Sequence, residues 1–256
     1  MLLALPSLSA ALSLSPAAQE PRLWDGRKVL NPAQQLRATD LAHRRWADLL
    51  CHTPPDATVV DATAGNGYDA LRLLEILGAR EGGGGKLICC DLQPQAIEQS
   101  QQRLKEAFDE VQHPVDIGWA VGDHADLLEA LPESSASLVV FNLGYLPGGD
   151  KEVVTTAEGT TRALLAAERA VMPGGAVSVT LYPGHAEGER EAQAVLEHAA
   201  ALDVGRWSVV HTRWPNQVGK RTGLPSPELL ELQCMHKCGP KEEVLAAMRR
   251  EVAGMN

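Results

Sequence analysis

Apolar positions along this chain follow two alternating rhythms. Short apolar runs at Thr58–Ala62, Lys86–Leu92, Val115–Val121, Ser137–Leu143 and Ala176–Tyr182 read as buried strands. Between them, apolar residues recur at helical spacing over Asp69–Leu77, Pro94–Phe108, His124–Ala130, Gly159–Val171 and Glu187–Ala201. Such alternation predicts a parallel sheet with helices on both faces. Ahead of the first strand, Pro32 to Cys51 predicts one more helix, with Leu36, Leu41, Trp46, Leu49 and Leu50 near helical spacing and Arg37, Arg44 and Arg45 between them. Pro94 suits a first helical position, and Met172-Pro-Gly-Gly175 reads as a sharp stop before the next strand.

The rhythm breaks near the end. Trp207–Trp214 and Leu229–His236 alternate like strands, but only a loop joins them, so they should pair antiparallel. The expected fold is therefore α/β and Rossmann-like, a mostly parallel sheet closed by a C-terminal antiparallel hairpin.

Length and charge narrow this reading. At 256 residues the chain suits a single domain, taken as residues 25–256. Residues 1–24 read as a leader or tail, rich in Ser, Ala and Leu with no acid before Glu20; this favours organelle import, a plastid before a mitochondrion, with the cytoplasm as the alternative. A net charge of −10 argues against a protein that coats nucleic acid through bulk positive charge. The balance reverses locally, because Gly205 to Pro227 holds Arg206, Arg213, Lys220 and Arg221 and no acid. Five cysteines in no metal-like spacing predict neither a disulfide framework nor a metal site. No apolar run reaches the roughly 20 residues a membrane span requires.

Candidate chemistry gathers where strands end, since ligands of open α/β sheets bind at those carboxyl ends. Asp61 closes the first strand before the turn Thr63-Ala-Gly65-Asn66-Gly67, and Asp69 follows in the next helix. Asp91-Leu92-Gln93 closes the second strand and Gly122-Asp123-His124 the third. Two anionic neighbours disfavour a pyrophosphate but welcome a ribose and an ammonium, so S-adenosylmethionine is the expected cofactor. In this reading Asp61, directly or through water, with Gly65 and Gly67 surrounds its methionine part, Asp91 takes the ribose and Asp123 the adenine. Thr63, Asn66, Asp69, Leu92, Gln93 and His124 are further candidate cofactor contacts.

The fourth strand ends in Asn142-Leu-Gly-Tyr145-Leu-Pro-Gly-Gly-Asp150-Lys151. An amine attacking a sulfonium methyl needs its lone pair held in line, and acceptors for its own hydrogens supply that aim. The Asn142 amide, which also borders the cofactor, and the Leu143 carbonyl are suitable acceptors, while Tyr145 could stack on an unstacked base. His185, in Tyr182-Pro-Gly-His185, could take a proton or simply begin a helix.

These motifs, with Asn216-Gln217, resemble the YtqB/MnmM-like class I methyltransferases over the span from the Pro32 helix to the last strand. The resemblance implies a tRNA-modifying enzyme that methylates the aminomethyl group of a wobble uridine, giving 5-methylaminomethyl-2-thiouridine. It also implies the anticodon stem-loop as partner, with Leu143, Gly144, Tyr145, Asp150, Lys151, Asn216 and Gln217 as candidate substrate residues. Charge places the RNA contacts on Arg206, Arg213, Lys220 and Arg221 of the acid-free stretch, helped by Arg44 and Arg45 of the first helix. The leader and the loop Val-Gly-Lys-Arg-Thr-Gly-Leu-Pro after Gln217 depart from bacterial members. Alternatives are methylation of rRNA or a small amine, an NAD-dependent oxidoreductase, because Gly65-Asn-Gly67-Tyr-Asp-Ala70 satisfies the dinucleotide pattern, and a non-catalytic RNA-binding module. The first helix is a candidate homodimer contact.

Overall fold

A computed structural model describes residues 36–108, 114–144, 155–218, 223 and 225–235. Helix α1 (Ala38–Leu50) precedes β1 (Thr58–Asp61), α2 (Tyr68–Ala79), β2 (Gly85–Asp91), α3 (Pro94–Phe108), β3 (Val115–Val121) and α4 (His124–Ala130). Then follow β4 (Ala136–Asn142), α5 (Ala157–Ala170), β5 (Val171–Leu181), α6 (Ala186–Ala200), β6 (Trp207–Thr212) and β7 (Glu228–Cys234). One seven-stranded sheet runs β3-β2-β1-β4-β5-β7-β6. Strands β1 to β5 are parallel, and β7 is antiparallel to both its neighbours, β5 and β6.

Successive strand residues face opposite sides, so the apolar runs feed two cores. Val59, Leu87, Cys89 and Val140 pack with Ala42 and Trp46 of α1, Leu73 of α2 and Ile97 of α3. Val60, Val139, Phe141 and Val179 pack with Leu128 of α4, Leu164 of α5 and Val195 of α6. Helix α1, proposed above as a dimer contact, thus spends its apolar face inside its own chain. Its buried stripe is Ala38, Ala42, Trp46 and Leu50, while Leu41 and Leu49 are only partly covered.

Helix α3 and strand β3 keep the limits expected from sequence, as does α4, which Asp123 caps by accepting the Ala125 N–H at 2.7 Å. Strand β5 does not. Instead of stopping at Met172-Pro-Gly-Gly175, the chain stays against β4 through an irregularity in which Val171 opposes Ala136 and Ala176 opposes Leu138. Gly175 fits because a Cβ there would lie 2.7 Å from the Ser137 carbonyl oxygen. This register carries β5 to Leu181 beside β4, so the segments after Asn142 and Leu181 emerge at the same end of the sheet as those after β1, β2 and β3.

Candidate functional site

The strand order reverses between β1 and β4, and at their carboxyl ends a cavity of about 740 Å³ opens. Ligand clefts typically measure about 300–1,000 Å³. Its walls are the turn after β1 (Thr63, Gly65, Asn66), the start of α2 (Tyr68, Asp69), the tip of β2 (Asp91, Leu92, Gln93) and the cap and first residue of α4, just after β3 (Asp123, His124). The segment after β4 (Asn142, Leu143, Gly144) and that after β5 (Tyr182, Gly184, His185) complete it, with Thr155, Pro225 and Pro227.

Asp91 ties two of these segments together. Its Oδ2 accepts the Gly65 N–H at 2.9 Å and its Oδ1 the Gln93 N–H at 2.9 Å. Beside it Leu92, 59% exposed, offers an apolar face for a flat ring. Asp123 holds the start of α4 and meets Arg162 Nη2 at 3.0 Å. Burial pushes the Asp123 carboxyl up, but the Ala125 amide, His124 and Arg162 outweigh it and hold the group below its usual 3.8. His124, mostly buried and edge-on to Phe141 at 5.7 Å, is pushed below its usual 6.5, chiefly by burial.

Asn142 is held on two sides. Its backbone N–H donates to Thr63 Oγ1 at 2.7 Å, and its side-chain Nδ2 donates to Asp69 Oδ2 at 2.9 Å. The other carboxylate oxygen, Asp69 Oδ1, meets His43 Nε2 at 2.6 Å. Tyr182 also lines the cavity, and burial, then nearby Asp69, push its phenol up to about 12 against a lowering influence of the Asn142 side chain, so it stays neutral. At the rim, the 64% exposed Tyr68 carries the Arg103 guanidinium 3.7 Å from its ring centroid.

Several expected site residues stand elsewhere. Asp61 is fully buried and absent from the cavity wall; its Oδ1 accepts the Thr63 N–H at 3.2 Å and its Oδ2 has no hydrogen-bond partner among the described residues. Burial, then the Asp69 charge, raise its pKa well above the usual 3.8. Of the two contacts expected of Asp61, direct or through water, the direct one does not fit its position behind the wall, a result of its place on a central strand. Gly67 also lies outside the wall: with φ 76°, it packs on α3, where a Cβ would come within 2.7 Å of Ser100 Cα.

His185 does border the cavity, but its Nδ1 accepts the Gly188 N–H at 3.0 Å and caps α6. A neutral ring in that role carries its proton on Nε2, so it can donate but not accept; the helix-starting alternative fits this better than a proton acceptor. Arg45 faces Glu231 at 3.6 Å, and neither it nor Arg44 lines the cavity. Asn216 is exposed away from that wall, and Gln217 Nε2 donates to the Leu36 carbonyl at 3.4 Å. In the acid-free stretch, Arg213 pairs with Glu228 at 3.0 Å, just past its end, and Arg206 precedes β6 at the opposite end of the sheet. Tyr145, Asp150, Lys151, Lys220 and Arg221 lie outside the described residues. His43, Tyr68 and Tyr182 went unmarked as site residues in the sequence; a histidine one position after the buried Ala42 on α1 was the signal available for His43.

Comparison with known proteins gives the family. The family model described as "Putative rRNA methylase" matches residues 87–224. An Arabidopsis thaliana protein named tRNA (mnm(5)s(2)U34)-methyltransferase, chloroplastic, is 36% identical over 173 residues, covering 67% of this chain and 62% of its own length. The chain thus spans less than two thirds of that relative. Among solved structures, an rRNA methylase so described from Clostridium thermocellum is 28% identical with a TM-score of 0.65, covering 79% of this chain and all of its own. A Streptococcus mutans methyltransferase in complex with SAH has a TM-score of 0.61 at 23% identity, covers 79% of this chain and all of its own, and shares the fold. Since the family model takes in more than half of the 256 residues, the chain belongs to this rRNA methylase family.

Proposed function

We propose that the chain is an S-adenosylmethionine-dependent N-methyltransferase of tRNA, converting 5-aminomethyl-2-thiouridine at the wobble position to 5-methylaminomethyl-2-thiouridine. The observation that carries this reading is the charge of the cavity. Asp69, Asp91 and Asp123 line it, and no Lys or Arg does among the described residues. Such a wall favours a cation and repels a pyrophosphate. The Gly65 N–H, which a dinucleotide turn would offer to phosphate, is already taken by Asp91. The name of the Arabidopsis relative supports the choice of substrate.

The residues fit this cofactor. When bound, S-adenosylmethionine supplies an electrophilic methyl group on a sulfonium, which a neutral amine can take by direct displacement. Asp91 is placed for the ribose hydroxyls, Leu92 for the purine face and Asp69 for a nearby cationic group. Asn142 Oδ1 would accept a hydrogen from the incoming amine and so aim its lone pair. The amine is an ammonium in water at neutral pH, and enclosure favours its neutral form. Its proton leaves to water, since the His185 ring is engaged as a cap.

For the partner, we infer the anticodon stem-loop with the wobble base splayed outward, and for location an organelle, a plastid before a mitochondrion. The relative's chloroplastic name and the acid-free start of this chain support the latter, although that start lies outside the described residues. The test of function is incubation with methyl-labelled donor and tRNA bearing the aminomethyl uridine, followed by nucleoside mass spectrometry. The expected product is the methylaminomethyl nucleoside; label in another nucleoside, in rRNA or nowhere overturns the reading.

A further inference from the structure

An ionised carboxylate can only accept hydrogen bonds, so the Asn142 atom that meets Asp69 must be its nitrogen. Asp69 thereby decides which way the amide points. If Asp69 were free to turn away, the amide could flip and present N–H groups to the amine, engaging the lone pair needed for attack instead of accepting one of its hydrogens. What keeps Asp69 in place is His43, whose Nε2 lies 2.6 Å from its other oxygen. The His43 ring is itself steadied by Trp46, at 4.9 Å between centroids and 4% exposed in the core beneath α1.

We propose that His43 is a positioning residue for methyl transfer: by donating to Asp69 it locks the Asn142 amide with Oδ1 toward the substrate nitrogen. This rests on the proposed function and adds to it a residue from α1. His43 does not line the cavity, and Asp69 stands between it and the substrate, so its role is to hold a hydrogen bond. A proton shuttle and a hydrogen-bond anchor make different demands on the side chain. Only the anchor is replaceable by glutamine, whose amide nitrogen can stand where Nε2 stands.

The experiment compares wild type, His43→Leu and His43→Gln by tRNA methylation kinetics, and by calorimetry with S-adenosylhomocysteine. His43→Leu should lower kcat about tenfold or more while donor affinity stays within about twofold, and His43→Gln should recover most of the loss with an unchanged pH profile. An undiminished His43→Leu, or a His43→Gln as slow as the leucine variant, overturns the proposal. If His43→Leu fails to fold, His43→Met replaces it: it too removes the donor to Asp69 while leaving the cavity wall untouched, and the same kcat-selective loss is expected. Should wild type bind donor yet leave tRNA unmethylated, the functional reading fails, and NMR decides the lock separately. One Asn142 side-chain amide proton, assigned by its disappearance in Asn142→Asp, should be shifted downfield in wild type and His43→Gln and move back in His43→Leu. Identical shifts in all three overturn the proposal.

Discussion

Asp91 Oδ2 accepts the N–H of Gly65 at 2.9 Å, so the tip of β2 is stitched to the turn that follows β1. The same carboxylate restrains Gln93 through its other oxygen. Its charge faces the cavity while its geometry fixes two of the walls. Asp91→Ala should therefore weaken donor binding by about 10- to 100-fold, the scale of a lost charge-assisted hydrogen bond or two. Calorimetry with S-adenosylhomocysteine reads this directly. An unchanged Kd removes Asp91 from the cofactor site.

Asn142→Ala should behave differently. Its backbone bond to Thr63 survives, and in the proposed reaction its side chain serves the incoming amine more than the donor. Turnover should fall by about 100-fold or more while donor affinity changes by less than about threefold. Steady-state kinetics beside calorimetry separate the two quantities. Equal losses in both would take Asn142 out of the orienting role.

Two glycines of the α2 region should respond oppositely to alanine. Gly67 needs a left-handed φ of 76°, and a Cβ there would press on Ser100 Cα, so Gly67→Ala should cost about 2 kcal/mol or more. Gly78 sits inside α2 with nothing within 4 Å of an added Cβ, and Gly78→Ala should gain about 0.5–1 kcal/mol. Chemical denaturation of the pair measures both. A neutral Gly67→Ala would contradict the close approach of α2 and α3.

His124 makes stability depend on pH. Its folded pKa is depressed below the ordinary 6.5, chiefly by burial, so between that ordinary value and the lowered one the unfolded chain binds more protons than the folded chain. Stability is then full above 6.5 and declines as pH falls through this window. His124→Gln should flatten that part of the profile, as followed by thermal unfolding across the range. An identical slope in the variant would assign the dependence to other groups.

How much of this was legible depended on whether the information was local. Helix α3 begins at Pro94 and α4 at the Asp123 cap, and both signals are written in adjacent residues. Asp91, Asp123 and Asn142 share one cavity because each ends or closely follows a parallel strand, and parallel strands end on the same side. The start of β5 was hidden, since Met172-Pro-Gly-Gly175 looks like a turn unless the neighbouring register with β4 is known. Asp61 looked like its fellow strand-end acids, yet the elements packed around the central strand enclose it completely. Gly67 fits a ligand-facing glycine motif, but its constraint comes from Ser100, on the next helix. His43 was the least legible, because nothing in the order of residues states where α1 docks.

That docking has a bearing on truncation. The ring that meets Asp69 is carried on the segment ahead of the first strand, and Ala42, Trp46 and Leu50 of the same helix lie buried in one core with residues of β1, β2 and β4. Shortening the protein from its front through this helix would strip one face of the sheet of part of its cover and Asp69 of its partner in a single cut.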